Sequence, residues 1–442
     1  NSHLTSIAPT GTISMLADTS SGIEPYLGLV TLRRAFYNKN GNNGEKGVDI
    51  LRIVAPDFER VARERGFYSE KLMDRIAEEG SVQNMKEVPD DVKRVFVTTQ
   101  DIGYEWHVKI QAAAQKWTDA AVSKTVNLPN DAKIEDVRNA YILAYETGCK
   151  GITVYRDGSK SGQVLYLKEK SSPVAAQKPV PSATASTPLS VPTNIVSAPV
   201  APTVTASVTA QKPVSSTSTP ILSNDKMNSE AIITPNALTV LQKRALHKDA
   251  EGKPLETPDQ LFRRVAKFVA SPERQYDIPE ARVAQIEEKF FQMMSRLEFI
   301  SGQALRNADS KLTMSACLVL PIEDNIEAIM QTIAENVFAH KSTCGTGINY
   351  SRLRMKGALV GGVGAVAAGP VHFMKAVSVA QKTVQTKGGR SQGSMGILNV
   401  DHPDIESFIR AKDQEGEFDN MNISVGATDA FMEAIRNDSN YD

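Results

Sequence analysis

Cysteine is nearly missing from this sequence: three in 442 residues, odd in number and far apart. That excludes a disulfide framework. It fits a reducing compartment such as the cytoplasm, and points any reactive thiol toward catalysis or metal binding. No Cys/His pair has zinc spacing, so no metal site is expected. Charge of one sign is also lacking. Fifty basic against 51 acidic residues leave a net charge of -1. There is neither the basic excess that nucleic acid asks for nor an acidic tail. No apolar run reaches membrane-spanning length, and no signal peptide opens the chain. What remains is ordinary soluble composition, 41% hydrophobic and 23% charged, in a chain long enough for about two to four domains.

Residues 1–166 read as α/β. Pro9 breaks the chain before Thr10-Gly11-Thr12-Ile13-Ser14. Such a run is either a capped helix start or a phosphate cradle of backbone N–H and hydroxyl groups. The spacing predicts helix across 48–80. It predicts another from Glu105 to Thr125, with Trp106, Ile110, Ala113, Trp117 and Ala121 on one face. His107 on that helix reads as structural. A helix ending near Glu146, a Gly148 cap and the strand Gly151–Tyr155 form one repeat of a parallel sheet. Cys149 reads as a small buried residue.

Residues 171–224 are Pro, Ala, Ser, Thr and Val, without an aromatic or an acidic residue. Such a segment buries too little apolar surface to offset its chain entropy. A disordered linker is therefore drawn at 167–226. Beyond it, 227–312 is helical, with a start at Thr257-Pro258-Asp259 and a long helix from about Pro279 to Phe299. From 313 onward the α/β pattern returns. Ser315-Ala316-Cys317 opens a short apolar run, and Asp324-Asn325 starts a helix with Ile326, Ile329, Ile333 and Val337 on one face. Asp324 lies near its positive end. Cys344-Gly345-Thr346-Gly347 and Thr386–Gly393 read as glycine-rich loops, in which Lys387 and Arg390 are suited to phosphate. Asp401-His402-Pro403-Asp404 reads as a capped turn rather than a metal site.

Several motifs together carry a resemblance. They include Ser6–Ser14, Ser21-Gly22-Ile23-Glu24-Pro25, Asp119–Thr125 and Gly148 through Ser159. In the second part they include Thr234–Leu238, Ser315 through Asp324, Ser351-Arg352-Leu353-Arg354 and Val400–Glu406. With these the chain resembles the adenosylcobalamin-dependent (class II) ribonucleotide reductases over nearly all of its length except the linker. The implied fold is α/β, an incomplete ten-stranded α/β barrel plus a helical region. In that family the part resembling 228–442 precedes the part resembling 1–166. Between them lies a segment with an Asn-x-Cys-x-Glu motif, which none of Cys149, Cys317 and Cys344 matches. The chain thus reads as permuted, or as the tail of one copy fused to the head of another. Met227 is a candidate start for the second part, and both ends read as cut.

The resemblance implies a reaction that replaces the ribose 2′-hydroxyl with hydrogen. A thiyl radical generated through adenosylcobalamin abstracts the 3′-hydrogen, and a cysteine pair supplies the electrons. Cys317 would be one member of that pair. Thr10, Gly11, Thr12 and Ile13 would hold the ribonucleotide phosphates, with Ser301, Ala316 and Gly345 lining the same site. Asp324, Asn325 and Arg354 would bind a dNTP effector, and Lys387, Gly388, Gly389 and Arg390 would belong to the loop linking effector to substrate choice. A common Gly-Arg-Arg-Gly pattern reads Gly389-Arg390-Ser391-Gln392-Gly393 here, and Cys344 replaces a glycine. A dithiol reductant is implied, though no C-terminal CxxC shuttle is present, and a homodimer is compatible. The chain alone is expected to be inactive. The alternatives are an inert nucleotide-binding fragment or fusion, and a class I large-subunit fragment. A linker spanning on the order of 40 Å lets the two parts pack as neighbouring barrel pieces.

Overall fold

The computed structural model describes residues 4–38, 46–159, 233–249, 251–361, 364–383, 393–414 and 416–441. The expected linker lies outside them. In the first part the elements are α1 (Ile13–Leu16), the antiparallel pair β1 (Val30–Asn38) and β2 (Lys46–Val54), α2 (Pro56–Glu64), α3 (Glu70–Glu79), α4 (Asp90–Val95) and α5 (Tyr104–Gln115). Then β3 (Thr125–Leu128), α6 (Ile134–Glu146) and β4 (Thr153–Arg156) form a parallel βαβ unit, with Gly148 at φ +77° closing α6.

Four helices make the next part: α7 (Pro235–Arg244), α8 (Pro258–Ala270), α9 (Glu280–Ser295) and α10 (Gly302–Asn307). Their starts follow local chemistry. Thr257 and Gln260 form a capping box ahead of α8, and Thr234 caps α7. Leu261, Phe262 and Val265 of α8 are buried against Phe291 and Met294 of α9.

The last part is β5 (Cys317–Leu320), α11 (Ile326–Lys341), β6 (Gly345–Asn349), the small hairpin β7 (Leu359–Val360) and β8 (Ala365–Val366), α12 (Pro370–Lys382), β9 (Ser394–Asn399), α13 (Ile405–Ile409), β10 (Met421–Gly426) and α14 (Asp429–Arg436). Here β10-β9-β6-β5 is a four-stranded parallel sheet. Strands in sequence order lie side by side with helical crossovers, as in one flank of an α/β barrel. Among the described residues β5 is an edge, and Val319 on it is 86% exposed.

Residues 1–168 and 229–442 form one unit. Asn236 Nδ2 donates to Asp18 Oδ1 (2.6 Å), and Leu16 enters the core of α7 and α8. Farther along, Tyr145 Oη donates to Asp429 Oδ1 at 3.1 Å, joining α6 to α14.

Several expectations are corrected. Residues 46–54 are strand, not helix: a segment rich in Val and Ile pairs with β1 and the helices begin only at Pro56. The 105–125 helix stops at Gln115, and its expected apolar face is outward, with Trp106 59% and Trp117 85% exposed. The buried face carries His107, Gln111 and Gln115. Irregular segments beneath this helix present backbone carbonyls that need donors. Gln111 Nε2 supplies Gly151 O (2.5 Å), and Gln115 Nε2 supplies Ala120 O (2.9 Å). Ile326 on α11 and Ile134 on α6 are likewise exposed. Finally, Gly345-Thr346-Gly347 is a strand hydrogen-bonded on both sides, not a loop.

Candidate active site

The Pro9–Thr12 turn is wound tightly. Thr10 adopts φ 51°, in the left-handed region. Its Oγ1 accepts the Gly22 N–H at 2.6 Å. Gly22 itself sits at φ +55°, and a Cβ there would lie 3.1 Å from Ala8 O. Glycine is favoured on both counts. The turn leaves Gly11 facing open space, with nothing within 4 Å of where a Cβ would be. Thr12 and Ile13 then open α1, whose first N–H groups have no partner within the helix. Beside them is a cavity of about 570 Å³, of small-ligand size, lined by Gly11, Thr12, Ser14, Glu24, Asn127 and Arg244 among others.

Behind Glu24 lies a charged cluster. The fully buried Lys124 Nζ donates to Glu24 Oε2 at 2.6 Å, and the Thr125 N–H to Glu24 Oε1 at 2.6 Å. Lys124 Nζ also lies 2.9 Å from His107 Nδ1, and His107 Nε2 lies 3.0 Å from Thr99 O. A carbonyl only accepts, so Nε2 carries the proton and Nδ1 accepts from Lys124. Burial, then the neighbouring Lys124 charge, hold the imidazole below its usual pKa. His107 is therefore a structural group, as its sequence context suggests.

The cysteine side connects to the turn through α10. A Cβ on Gly302 would meet Ile13 Cγ2 at 3.3 Å. Ser301 caps this helix, accepting the Ala304 N–H at 3.4 Å. From its buried face Gln303 Nε2 and Asn307 Nδ2 donate to Thr343 Oγ1, at 3.1 and 2.9 Å. Thr343, at φ 65°, feeds the chain into β6. The Gly345 N–H donates to Ala316 O at 2.8 Å, and Cys317 pairs with Gly345 in register. A Cβ on Gly345 would come within 3.5 Å of Cys317 Sγ and 3.1 Å of Gly393 O. The thiol is at ordinary contact distance from that position, and Gly393 O is the tighter neighbour. These contacts link the Thr10–Ile13 turn to Gly345 and Cys317 through α10 and the buried Gln303, Asn307 and Thr343.

Asp324, Asn325 and Arg354 gather elsewhere, beyond the other end of β5. Arg354 Nε donates to Asp324 Oδ2 at 2.7 Å and its N–H to Oδ1 at 3.2 Å. Asn325 caps α11 by accepting from Ala328 N–H at 2.8 Å. Lys387, Gly388, Gly389 and Arg390 lie outside the described residues. Cys344 is buried, which raises its thiol pKa, with Cys317 a second cause. Cys149 is half-buried with its pKa also raised by burial. His402 uses both ring nitrogens: Nε2 lies 2.8 Å from Leu353 O in a distant segment, and Nδ1 accepts the Asp404 N–H at 3.0 Å.

Two features of the site escape sequence reading. Arg244 reaches Thr12 Oγ1 with Nη1 at 2.8 Å from 232 positions away, and nothing local in the helical segment signals it. Lys124 stands inside a recognised motif, but its full burial follows only from packing.

Comparison with known proteins agrees with this geometry. The model described as ribonucleotide reductase, barrel domain, matches residues 1–155 and 315–442. The one described as ribonucleotide reductase, all-alpha domain, matches 233–313. The vitamin B12-dependent ribonucleoside-diphosphate reductase of Thermoplasma acidophilum is 37% identical over 266 residues, 48% of this chain and 35% of that protein. The protein of that name from Mycobacterium tuberculosis is 44% identical over 178 residues, 40% of this chain and 23% of that protein. The vitamin B12-dependent ribonucleotide reductase of Streptomyces coelicolor is 35% identical over 178 residues, 38% of this chain and 17% of its own length. The chain therefore spans about a third or less of these curated relatives. A barrel match split around an all-alpha match, on a parallel sheet whose edge carries Cys317, has one reading: the chain belongs to the ribonucleotide reductase family.

Proposed function

We propose that this chain supplies the substrate-phosphate turn, one reducing cysteine and an effector site to ribonucleotide reduction. The observation that carries this is the contact path from Ile13 through Gly302 and Thr343 to Gly345 and Cys317. The path ties the turn to the strand that carries the exposed thiol, which supports a shared site. Thr10–Ile13 hold the phosphates through N–H and hydroxyl groups. Ser301, Ala316 and Gly345 line the ribose side. Cys317, with a partner thiol, donates two electrons and becomes a disulfide as the 2′-hydroxyl leaves as water. A dithiol then restores it, which calls for a reducing compartment, the cytoplasm. Asp324, Asn325 and Arg354 receive the effector, with Arg354 already paired to Asp324. The relatives named as vitamin B12-dependent point to adenosylcobalamin, which supplies the initiating radical when bound. The cavity of about 570 Å³ beside α1 has the size of a nucleotide site, not of a corrin ring.

A second reading, a nucleotide-binding fragment without turnover, is favoured for the isolated chain because no Asn-x-Cys-x-Glu motif occurs in it. Incubation with ribonucleotide, effector, dithiol and adenosylcobalamin should give nucleotide binding and no deoxyribonucleotide. Clear product formation by this chain alone would overturn that expectation. Failure to bind ribonucleotide at millimolar concentration would overturn the functional reading itself.

A further inference from the structure

The strand that carries the thiol is held on one side only. Among the described residues β5 pairs with β6 alone, and Ala316, Cys317, Leu318 and Val319 are all exposed. Its placement therefore depends on what holds its two ends. At the far end Leu320 is buried in the core with Ile348. At the near end, four residues before Cys317, stands Thr313.

Two buried side chains of α10 converge there. Gln303 and Asn307 are four apart and share one face of the helix. Asn307 Nδ2 donates to Thr313 O at 2.7 Å and to Thr343 Oγ1 at 2.9 Å. Gln303 Nε2 donates to the same two atoms, at 3.3 and 3.1 Å. Arg306 Nη2 donates to Gln303 Oε1 at 2.5 Å, which settles which end of that amide faces the carbonyl. One pair of amides thus holds the entry to β5 and the entry to β6.

Thr343 is the residue that needs this support. It stands at φ 65°, where a β-branched side chain is strained. Such a conformation persists only where its surroundings over-determine it, and two amides on one hydroxyl do so. Two residues on, the Gly345 N–H donates to Ala316 O at 2.8 Å, tying the starts of β6 and β5 together beside Cys317.

We propose that Gln303 and Asn307 are positioning residues for the Cys317 thiol. They act through Thr313 and Thr343, and so fix where an exposed edge strand presents its sulfur. The proposal deepens the reading of Cys317 as a reducing thiol and rests on it, since a disulfide with a partner thiol forms only within a narrow geometry. The all-alpha part then sets the place of a thiol that belongs to the barrel part.

The test puts a nitroxide spin label on Cys317 in the full chain carrying Cys149→Ser, Cys344 being buried. Asn307→Leu and Gln303→Met are compared with the unaltered amides, each checked for folding by circular dichroism. If Asn307→Leu does not fold, Gln303→Met decides. Loss of a buried hydrogen bond predicts about 10- to 100-fold faster amide exchange over 318–320 and 346–348. The label on Cys317 should become more mobile in the same variants. Thr343→Gly added to Asn307→Leu should reverse part of that gain, because glycine keeps the left-handed region without support. A label on Cys149, in a chain carrying Cys317→Ser, should keep its spectrum in both amide variants. Unchanged mobility at Cys317 in the folded variants overturns the positioning role. An equal gain at Cys149 overturns it too, since that marks general loosening, and so does a gain that Thr343→Gly leaves intact. The label reads position and not turnover, so each of these failures leaves the reducing-thiol reading to its own assay of product.

Discussion

Two helices, α5 and α11, bury polar faces under parallel strands, each around a histidine, and they do so with opposite electrostatics. Beneath α5 the cluster is charged: Lys124, Glu24 and His107, opening to the cavity through Glu24. Beneath α11 it is neutral and closed. His340 Nε2 lies 3.0 Å from Ser394 Oγ and 3.2 Å from Thr346 Oγ1; Thr346 Oγ1 donates to Asn336 Oδ1 at 2.5 Å, and Ser394 Oγ to Gln381 Oε1 at 2.8 Å. Each cluster leaves one buried amide atom unsatisfied among the described residues, Gln111 Oε1 and Asn336 Nδ2. The lesson is about position. A charge is tolerated where a partner carboxylate reaches an opening, and the sealed cluster uses hydroxyls and amides, whose burial costs less.

The largest expected effect tests the charged member. Lys124→Met leaves Glu24 without its ion partner, and breaking a buried pair on one side costs about 3–5 kcal/mol. Hydrogen exchange resolved by segment should show the loss in 99–128 and spare α11. The double variant Lys124→Met with Glu24→Gln should regain part of it. Equal protection in the single variant and the unaltered chain would mean the pair contributes nothing.

Acid should expose the neutral cluster next. Burial brings the His340 pKa down from 6.5 to about 4. The unfolded chain then binds the extra proton first. His340 therefore contributes stability that is full above about pH 6.5 and declines as pH falls toward 4, by on the order of 3 kcal/mol. His107 works in the same direction. Urea midpoints from pH 7 to 4.5 should fall, and less steeply in His340→Gln. A flat profile would remove the argument from burial.

The thiols give a smaller contrast between the two parts. Cys317 is exposed, whereas Cys344 is buried and Cys149 half-buried, both raised in pKa by burial. A maleimide at neutral pH should label Cys317 at least about tenfold faster than either. Comparable labelling of Cys344 would show that β6 opens. The smallest effect belongs to the edge strand. Val319→Lys, on a site 86% exposed, should leave stability within about 0.5 kcal/mol while reducing aggregation through the β5 edge. Light scattering on matched samples measures the second, and a melting curve the first.

Much of the fold was legible where the signal is local. Thr257 with Gln260, Asn325 ahead of α11 and Gly148 after α6 mark helix ends through caps that involve only a few neighbouring residues. The helix, glycine and strand from 134 to 156 were read as one repeat of a parallel sheet, whereas the partner strand β3 stood where helix and breaker were expected. The helix faces did not follow, because Trp106 and Ile110 satisfy helical spacing as well as His107 and Gln111 do. Which set goes inward depends on what lies beneath. Here that is a layer of carbonyls and Lys124, and a donor-bearing face satisfies them.

The candidate site divides the same way. Thr10–Ser14 and Ser315–Cys317 are continuous motifs, so residue types and spacing sufficed to single them out, and the resemblance they carry supplied roles. By itself the sequence determined the family, the local turns and the accessible chemistry of one thiol. Tertiary structure alone decided that Cys317 pairs with Gly345 in register, that Lys124 is sealed behind Glu24, and that Arg244 meets Thr12 across 232 positions. The physical reason is range. Capping and turn formation act over a few residues, whereas burial of charge and the meeting of distant side chains depend on how whole layers pack.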